Sequence, residues 1–500
     1  MKTLAQLAEL VAGSVITGDK NIEITGIEHD SRKAENGTLF VCIAGFHVDG
    51  HKFIPQAVEK GAKAILTTRP AGEVAVPEGV AVLQVPELKT ALDIIVPFFH
   101  DYPARNMRII GITGTNGKTT TSYLIRAILR EAGYKVGLIG TIQIMMEEEV
   151  FPIHNTTPDV VELQHTLAIM RAKGMDYVVM EVSSHALDQN RVAGIEFDTA
   201  VFSNLTQDHL DYHKTLDNYK LAKAKLFDLL GQKGVKKNKT AVVNADDEAG
   251  KTMLAHAACR HLTYGIDNKA ALQASEVEVL ASGAHFTLKE EFLGEMALHL
   301  HITGIFNVYN VMAAVGAAIA EKIDPAVIKK ALTNFTSVPG RFELVKAGQD
   351  FSIIVDYAHT PDGVENVLRT ARRIAKKKII AVFGCGGDRD RTKRPIMGRL
   401  AAELADVVIA TSDNPRSEDP AFILSEVEAG VKETIGNKQH ECIIDRREAI
   451  FRAVELAETD DIVIILGKGH EDYQILKDKT IHFDDKEVAR EAVAAKKEQN

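Results

Sequence analysis

The stretch GITGTNGKTTT, residues 111–121, lies between the apolar run MRII and SYLIRAILREAG. Gly114 and Gly117 free a backbone to turn its N–H groups inward, Lys118 supplies a point charge, and Thr119 or Thr120 offers a hydroxyl to Mg2+. The helix expected after the loop aims its positive N-terminal end at the bound anion. This is the chemistry of a phosphate cradle for a nucleoside triphosphate. Its spacing departs from G-x-x-x-x-G-K-[ST], because the first position of that pattern is Ile112.

Three further stretches carry reactive groups. DYVVMEVSSH ends an apolar run at Glu181. A carboxylate at a strand end, in the sheet that carries a phosphate loop, suits Mg2+; a buried structural glutamate is the alternative. SNLTQDHLDYH (203–213) gathers two aspartates, two histidines and an asparagine. His209 and His213, four apart, would suit zinc on a helix, but no third ligand follows, so lining of a nucleotide or Mg2+ site is expected. GCGGDRDRTKRP follows KIIAVF and fits a dinucleotide fingerprint until Arg389, where close strand–helix packing wants glycine. Arg389 and Arg391 suit a carboxylate or phosphate instead.

Positioning such groups requires strand ends, and β-rich runs alternate with helical stretches almost throughout the 500 residues, the pattern of an α/β protein. Breaks at FFHDYPARN and TSVPGRFE divide the chain into residues 1–105, 106–336 and 337–500. The expected architecture is an N-terminal domain, a central P-loop-type mononucleotide-binding domain with an antiparallel tail near 275–303, and a C-terminal Rossmann-like domain with a largely parallel sheet. In the last third, four strands run into the loops DYAHTPD, GCGGDRD, SDNPRSEDP and GKGHED. Ligands of open parallel sheets bind beyond such carboxyl ends. Net charge of −10 with no basic stripe argues against a nucleic-acid partner. No apolar run approaches the ~20 residues of a membrane span. Four scattered cysteines read as reduced thiols of a cytoplasmic protein.

Taken in order, TGTNGKTT, MEVSSH, GIFNVYN, VPGRFE and VDYAHTPD resemble the Mur ligase family, ATP-dependent amide-forming enzymes of peptidoglycan precursor synthesis. The resemblance spans essentially the whole chain, and that family's loop, TGTNGK[TS], accounts for Ile112. It implies that the first domain holds a UDP-sugar substrate, the second ATP and the third an incoming amino acid. Ser31, Phe46, His47, Val48, Asn155, Thr156, Thr157, Ser183, Gln189 and Arg191 would contact the UDP substrate. Gly114, Thr115, Asn116, Gly117, Lys118, Thr119 and Thr120 would cradle the ATP phosphates. Asn307 would approach the adenine, Arg341 the phosphates and Asp356 the ribose. Thr119, Glu181 and Lys223, the last as a carbamate, would hold Mg2+; Lys225 is the rival lysine. Lys118, Glu181, His209 and Lys223 would carry the catalysis.

Within the family, HDSR, NTTPD, CGGDRD, SDNPR and GKGHEDYQ point to meso-2,6-diaminopimelate as the amino acid and UDP-N-acetylmuramoyl-L-alanyl-D-glutamate as its acceptor. Arg416 would grip the distal carboxylate, which lysine lacks, and Arg389, Asp413, Asn414, Pro415, Gly467 and Glu471 would complete that site. The implied reaction passes through an acyl phosphate, with the third domain swinging onto the second in a monomer. A lysine-adding relative, folylpolyglutamate synthase and a P-loop switch or motor ATPase are the competing readings. The second lacks the HDSR, DNPR and GKGHE segments, and the third leaves the four C-terminal loops without a purpose.

Overall fold

Strands whose residues are apolar on both faces need cover on both sides, and the chain supplies it three times over. The computed structural model describes residues 2–44, 48–153, 155–280 and 283–499. In the central unit the parallel strands run in the spatial order Val136–Ile139, Tyr177–Glu181, Arg108–Thr113, Thr199–Phe202, Thr240–Asn244, Arg260–Gly265. Their side chains alternate between two cores: Ile110, Ile112, Val179 and Val242 enter one, Ile109, Val178, Met180 and Val243 the other. The first core is closed by helices Lys118–Glu131 and Ile305–Ala320; the second is apolar almost all round, as a fully covered helix must be. Leu272–Leu280, Gly283–Glu290 and Gly294–Leu300 extend one edge, the last two joined antiparallel as the alternation near 275–303 foretells.

The C-terminal sheet places Ser352–Asp356, Ile462–Leu466, Ile379–Phe383, Val407–Thr411 and Gln439–Ile443 parallel in that order, with Glu343–Val345 antiparallel at the edge. The N-terminal sheet has four parallel strands, Gly26–Glu28, Thr38–Val41, Ala64–Thr67 and Ala81–Gln84, and one antiparallel edge, Val15–Thr17. Its core continues into Val160, Val161 and Ala193 of the central unit. The expected α/β class with largely parallel sheets is the architecture adopted. Among the described residues no helix is long and apolar enough to cross a membrane, and Cys42, Cys259, Cys385 and Cys442 are free thiols.

One buried ion pair fixes the C-terminal sheet from behind. Arg446, at the start of helix Arg446–Leu456, forks onto Asp485 at the start of helix Asp485–Gln499, with both bonds at 2.7 Å and both side chains wholly buried. The same guanidinium donates to the carbonyls of Leu466, at 3.0 Å, and Ser412, at 3.4 Å. These carbonyls stand where strands Ile462–Leu466 and Val407–Thr411 give way to the GKGHED and SDNPR loops. Removing one partner strands a charge in a dry interior, at a cost of about 3–5 kcal/mol. Asp485→Ala should lose stability on that scale in urea denaturation, and Arg446→Met with Asp485→Leu should lose distinctly less.

Candidate active site

The loop between strand Arg108–Thr113 and helix Lys118–Glu131 turns on its two glycines. Gly114 has φ +148° and Gly117 φ +86°. A Cβ at Gly114 would overlap the Ser203 hydroxyl, and one at Gly117 the Asn310 side-chain oxygen. Lys118 curls back so that Nζ donates to the carbonyls of Gly114, at 3.0 Å, and Thr115, at 2.8 Å. Lys223 reaches the same Gly114 carbonyl at 2.7 Å from helix Leu216–Gly231. Burial, and then the charge of Lys118, push the Lys223 amine well below its ordinary pKa. The rival Lys225 is exposed and pairs with Asp188. It does not enter the loop.

Glu181 ends its strand, as read from the sequence, and is fully buried. Its carboxylate accepts from the Thr119 hydroxyl at 3.1 Å and from Thr141, through the hydroxyl at 2.9 Å and the amide at 3.0 Å. Arg341, from the segment entering the C-terminal unit, donates to the Thr119 hydroxyl at 3.0 Å. Thr141 is a residue sequence reasoning missed; it lies just past a strand end, in a stretch with no motif of its own.

Two cavities open from this centre. The first, about 330 Å³, is walled by Asn116, Gly117, Thr120, Arg341 and Asp356 with Tyr264, Phe306, Tyr309 and Asn310. Asn307 sits one layer behind that wall: it donates to the Thr303 carbonyl and receives the Asn310 amide. Asp356 accepts the amides of Phe342 and Ala358, and burial raises its pKa against the pull of Arg341. The second cavity, about 480 Å³, brings together residues from opposite sides of the seam between the central and C-terminal units. Asn155, Thr156, Thr157, Ser183, Arg191 and His209 face Arg389, Asp413, Asn414, Arg416, Gly467 and Glu471 across it. Tyr357 and His359 line both cavities.

The C-terminal wall is charged, with Asp413 and Asn414 buried, Arg416 and Glu471 half-buried and Arg389 exposed. Arg416 has φ +52°, donates to the Gly387 carbonyl at 2.9 Å, and is held below its ordinary pKa by burial and by neighbouring Arg389. Burial raises the Glu471 carboxyl although Lys468 stands 3.1 Å away and Asn414 donates to it at 2.9 Å. Gly467, at φ +115°, leaves room for the Asp413 carboxylate. The Pro415 carbonyl packs against Gly387. Lys393, another residue the motifs left aside, comes within 3.9 Å of Asp208 across the seam.

The remaining expected residues lie elsewhere. Ser31 bonds Gln56 within the N-terminal unit, at 2.6 Å. Gln189 braces Arg191, which in turn holds the Thr157 carbonyl. Phe46 and His47 fall outside the described residues, and Val48 is exposed. His209 and His213 do not share a long helix: His209, at φ +55°, precedes the four-residue helix Leu210–His213, and His213 bonds the Ser184 hydroxyl at 2.9 Å.

Comparison with known proteins gives a consistent picture. Family models match in succession: Mur ligase family, catalytic domain, at residues 23–107; Mur ligase middle domain at 112–318; and Mur ligase, glutamate ligase domain, at 340–469. The chain is 44% identical over 494 residues to the UDP-N-acetylmuramoyl-L-alanyl-D-glutamate–2,6-diaminopimelate ligase of Syntrophomonas wolfei, covering 98% of this chain and 99% of the relative. It is 48% identical over 478 residues to the protein of the same name in Bacillus cereus, covering 95% of each. A solved structure of a ligase of that name superposes with a TM-score of 0.67 at 33% identity, covering 99% of both chains.

The geometry of the loop sets one expectation. Gly114→Ala places a methyl group against Ser203 and the Asn204 backbone at a φ that side chains rarely adopt. Nucleotide affinity should fall at least about 10-fold, roughly 1.4 kcal/mol, by titration calorimetry.

Proposed function

The chain belongs to the Mur ligase family, and from that premise we propose that it joins meso-2,6-diaminopimelate to UDP-N-acetylmuramoyl-L-alanyl-D-glutamate at the expense of ATP. The observation that carries this reading is the second cavity. There, groups suited to the UDP substrate face two arginines and a carboxylate suited to a diamino acid, beside the phosphate loop. In this reading residues 1–105 hold the UDP end, 106–336 bind ATP, and 337–500 bind the amino acid. ATP fills the first cavity with its phosphates on Gly114–Thr120, and the protein works as a cytoplasmic monomer.

The substrate carboxylate attacks the γ-phosphate, giving an acyl phosphate and ADP; the amine then attacks the acyl carbon and phosphate leaves. In this reading Lys118 and Arg341 balance charge on the transferring group. The hydroxyl of Thr119 and the carboxylate of Glu181 are the oxygen donors a hard divalent cation takes. Lys223 has no oxygen of its own, but its depressed pKa favours the neutral amine that adds CO2, with loss of a proton, to give a carbamate. These residues fit Mg2+, which when bound neutralises phosphate charge. His209 and Ser183 line the second cavity.

Selection of the amino acid falls to Arg416 and Glu471. A half-buried guanidinium binds a carboxylate bidentately, and a carboxylate whose charge burial disfavours is relieved by an ammonium. With ATP and the UDP substrate present, phosphate release should require meso-diaminopimelate and should not be supported by L-lysine. Release needing neither the UDP substrate nor an amino acid would reject the ligase reading. Arg416→Ala should lower kcat/KM for diaminopimelate by about 10²-fold, roughly 3 kcal/mol, while the KM for ATP stays within experimental error. Lys223→Ala should abolish turnover, and acetate or formate supplied in solution should restore part of it; a variant as active as wild type would remove Lys223 from the site.

A further inference from the structure

The second step of this reaction has a proton to dispose of. An acyl phosphate dianion and an ammonium become an amide, HPO4²⁻ and one free proton. The ammonium must lose its first proton before its lone pair can attack. The base therefore belongs where the acyl phosphate and the amine meet, at the join between the two cavities.

Among the described residues, Tyr357 and His359 line both. Of the two, His359 carries the usable atom. Its Nδ1 lies 2.8 Å from the Tyr357 carbonyl, which can only accept, so Nδ1 bears the hydrogen and the lone pair of the neutral ring sits on Nε2. The segment bearing it is pinned at both ends. Ala358 donates to Asp356 at 2.7 Å, and Asp362, in the first turn of helix Pro361–Ile374, accepts from Asn116 of the phosphate loop at 2.6 Å. The imidazole is thus held against the central unit by the contact that closes the seam.

Other carboxylates of the second cavity are engaged or differently placed. Glu471 is tied to Lys468 and Asn414, and Asp208 to His209 and Lys393. Asp390 has a buried oxygen without a partner, but it lines the second cavity and not the first.

We propose that His359 is a catalytic residue of this ligase, accepting a proton from the incoming amine at Nε2. The assignment rests on the ligase reading. Burial, then the charges of Lys393 and Arg341 against that of Asp208, push the imidazole down to about 4, so it waits uncharged. Transfer to the substrate carboxylate moves the phosphoryl dianion to the join between the cavities, and negative charge brought nearer raises the proton affinity of the imidazole at the step that releases a proton. His359 then passes this proton to the departing phosphate, which leaves as HPO4²⁻. The second amine proton goes to solvent as the tetrahedral intermediate collapses.

Hydroxylamine separates this role from a structural one, because it is uncharged at neutral pH and attacks acyl phosphates without a base. His359→Asn keeps a donor for the Tyr357 carbonyl and removes Nε2; His359→Ala removes both. With ATP and UDP-N-acetylmuramoyl-L-alanyl-D-glutamate, turnover with diaminopimelate should fall about 10²- to 10⁴-fold in His359→Asn, and hydroxamate formation by less than about 10-fold. Parallel loss in both assays in both variants would overturn the proposal, as would no loss in either. So would the same split in Asp390→Asn with His359→Asn unaffected. Wild-type protein giving neither amide nor hydroxamate would reject the ligase reading itself.

Discussion

Two lysine amines share one carbonyl. Lys118 and Lys223 both donate to Gly114, and burial lowers the proton affinity of each. Two ammonium groups this close in a dry site are unfavourable unless something negative joins them. Every other feature of the loop serves the same end. The glycines make the carbonyl reachable, and the helix behind adds positive potential. Thr119 and Glu181 supply oxygen to one side. Burial, and for Lys223 the charge of Lys118, therefore hold both amines below their ordinary proton affinity. Strain of this kind at a functional centre is tolerated because the cores on either side of the central sheet are continuous and apolar.

The seam between the central and C-terminal units has the opposite character from those cores. Among the described residues its contacts are mostly polar, including Arg341 on Thr119, Asn116 on Asp362, Gln207 on Thr392 and Lys393 near Asp208, with the Phe306 and Phe342 rings beside them. Interfaces of this sort separate at modest cost. The carboxyl edges of two parallel sheets face each other there. On the proposed function, reactants held on different units would meet only with the seam shut, and water would be shut out with them.

Much of this was legible in the sequence because strand ends and glycine turns are local. The phosphate loop, the buried Glu181 and the charged loops around Arg389 and Arg416 all lie where their flanking apolar runs put them. What sequence reading lost was depth and distance. Asn307 and Asn310 are one helical turn apart, and only packing decides that Asn310 faces the cavity while Asn307 supports it. Ser31 is occupied by Gln56 of a neighbouring helix in its own unit, a fact no motif encodes. Thr141 and His359 owe their importance to which wall they stand in, set by contacts from remote segments. The spacing of His209 and His213 would suit zinc on a helix, but His209 adopts a left-handed conformation and the helix that follows has four residues.

Arg446 ties the roots of the SDNPR and GKGHED loops to one buried point. Anchored in this way, those loops form a rigid socket whose fittings can be exchanged. On the proposed function, a change of side chain at 416 or 471 would alter what the socket accepts while Arg446 still holds the loop roots. The same anchorage makes insertions into those loops costly, so diversity in this part of the chain should be written in side chains rather than in loop length.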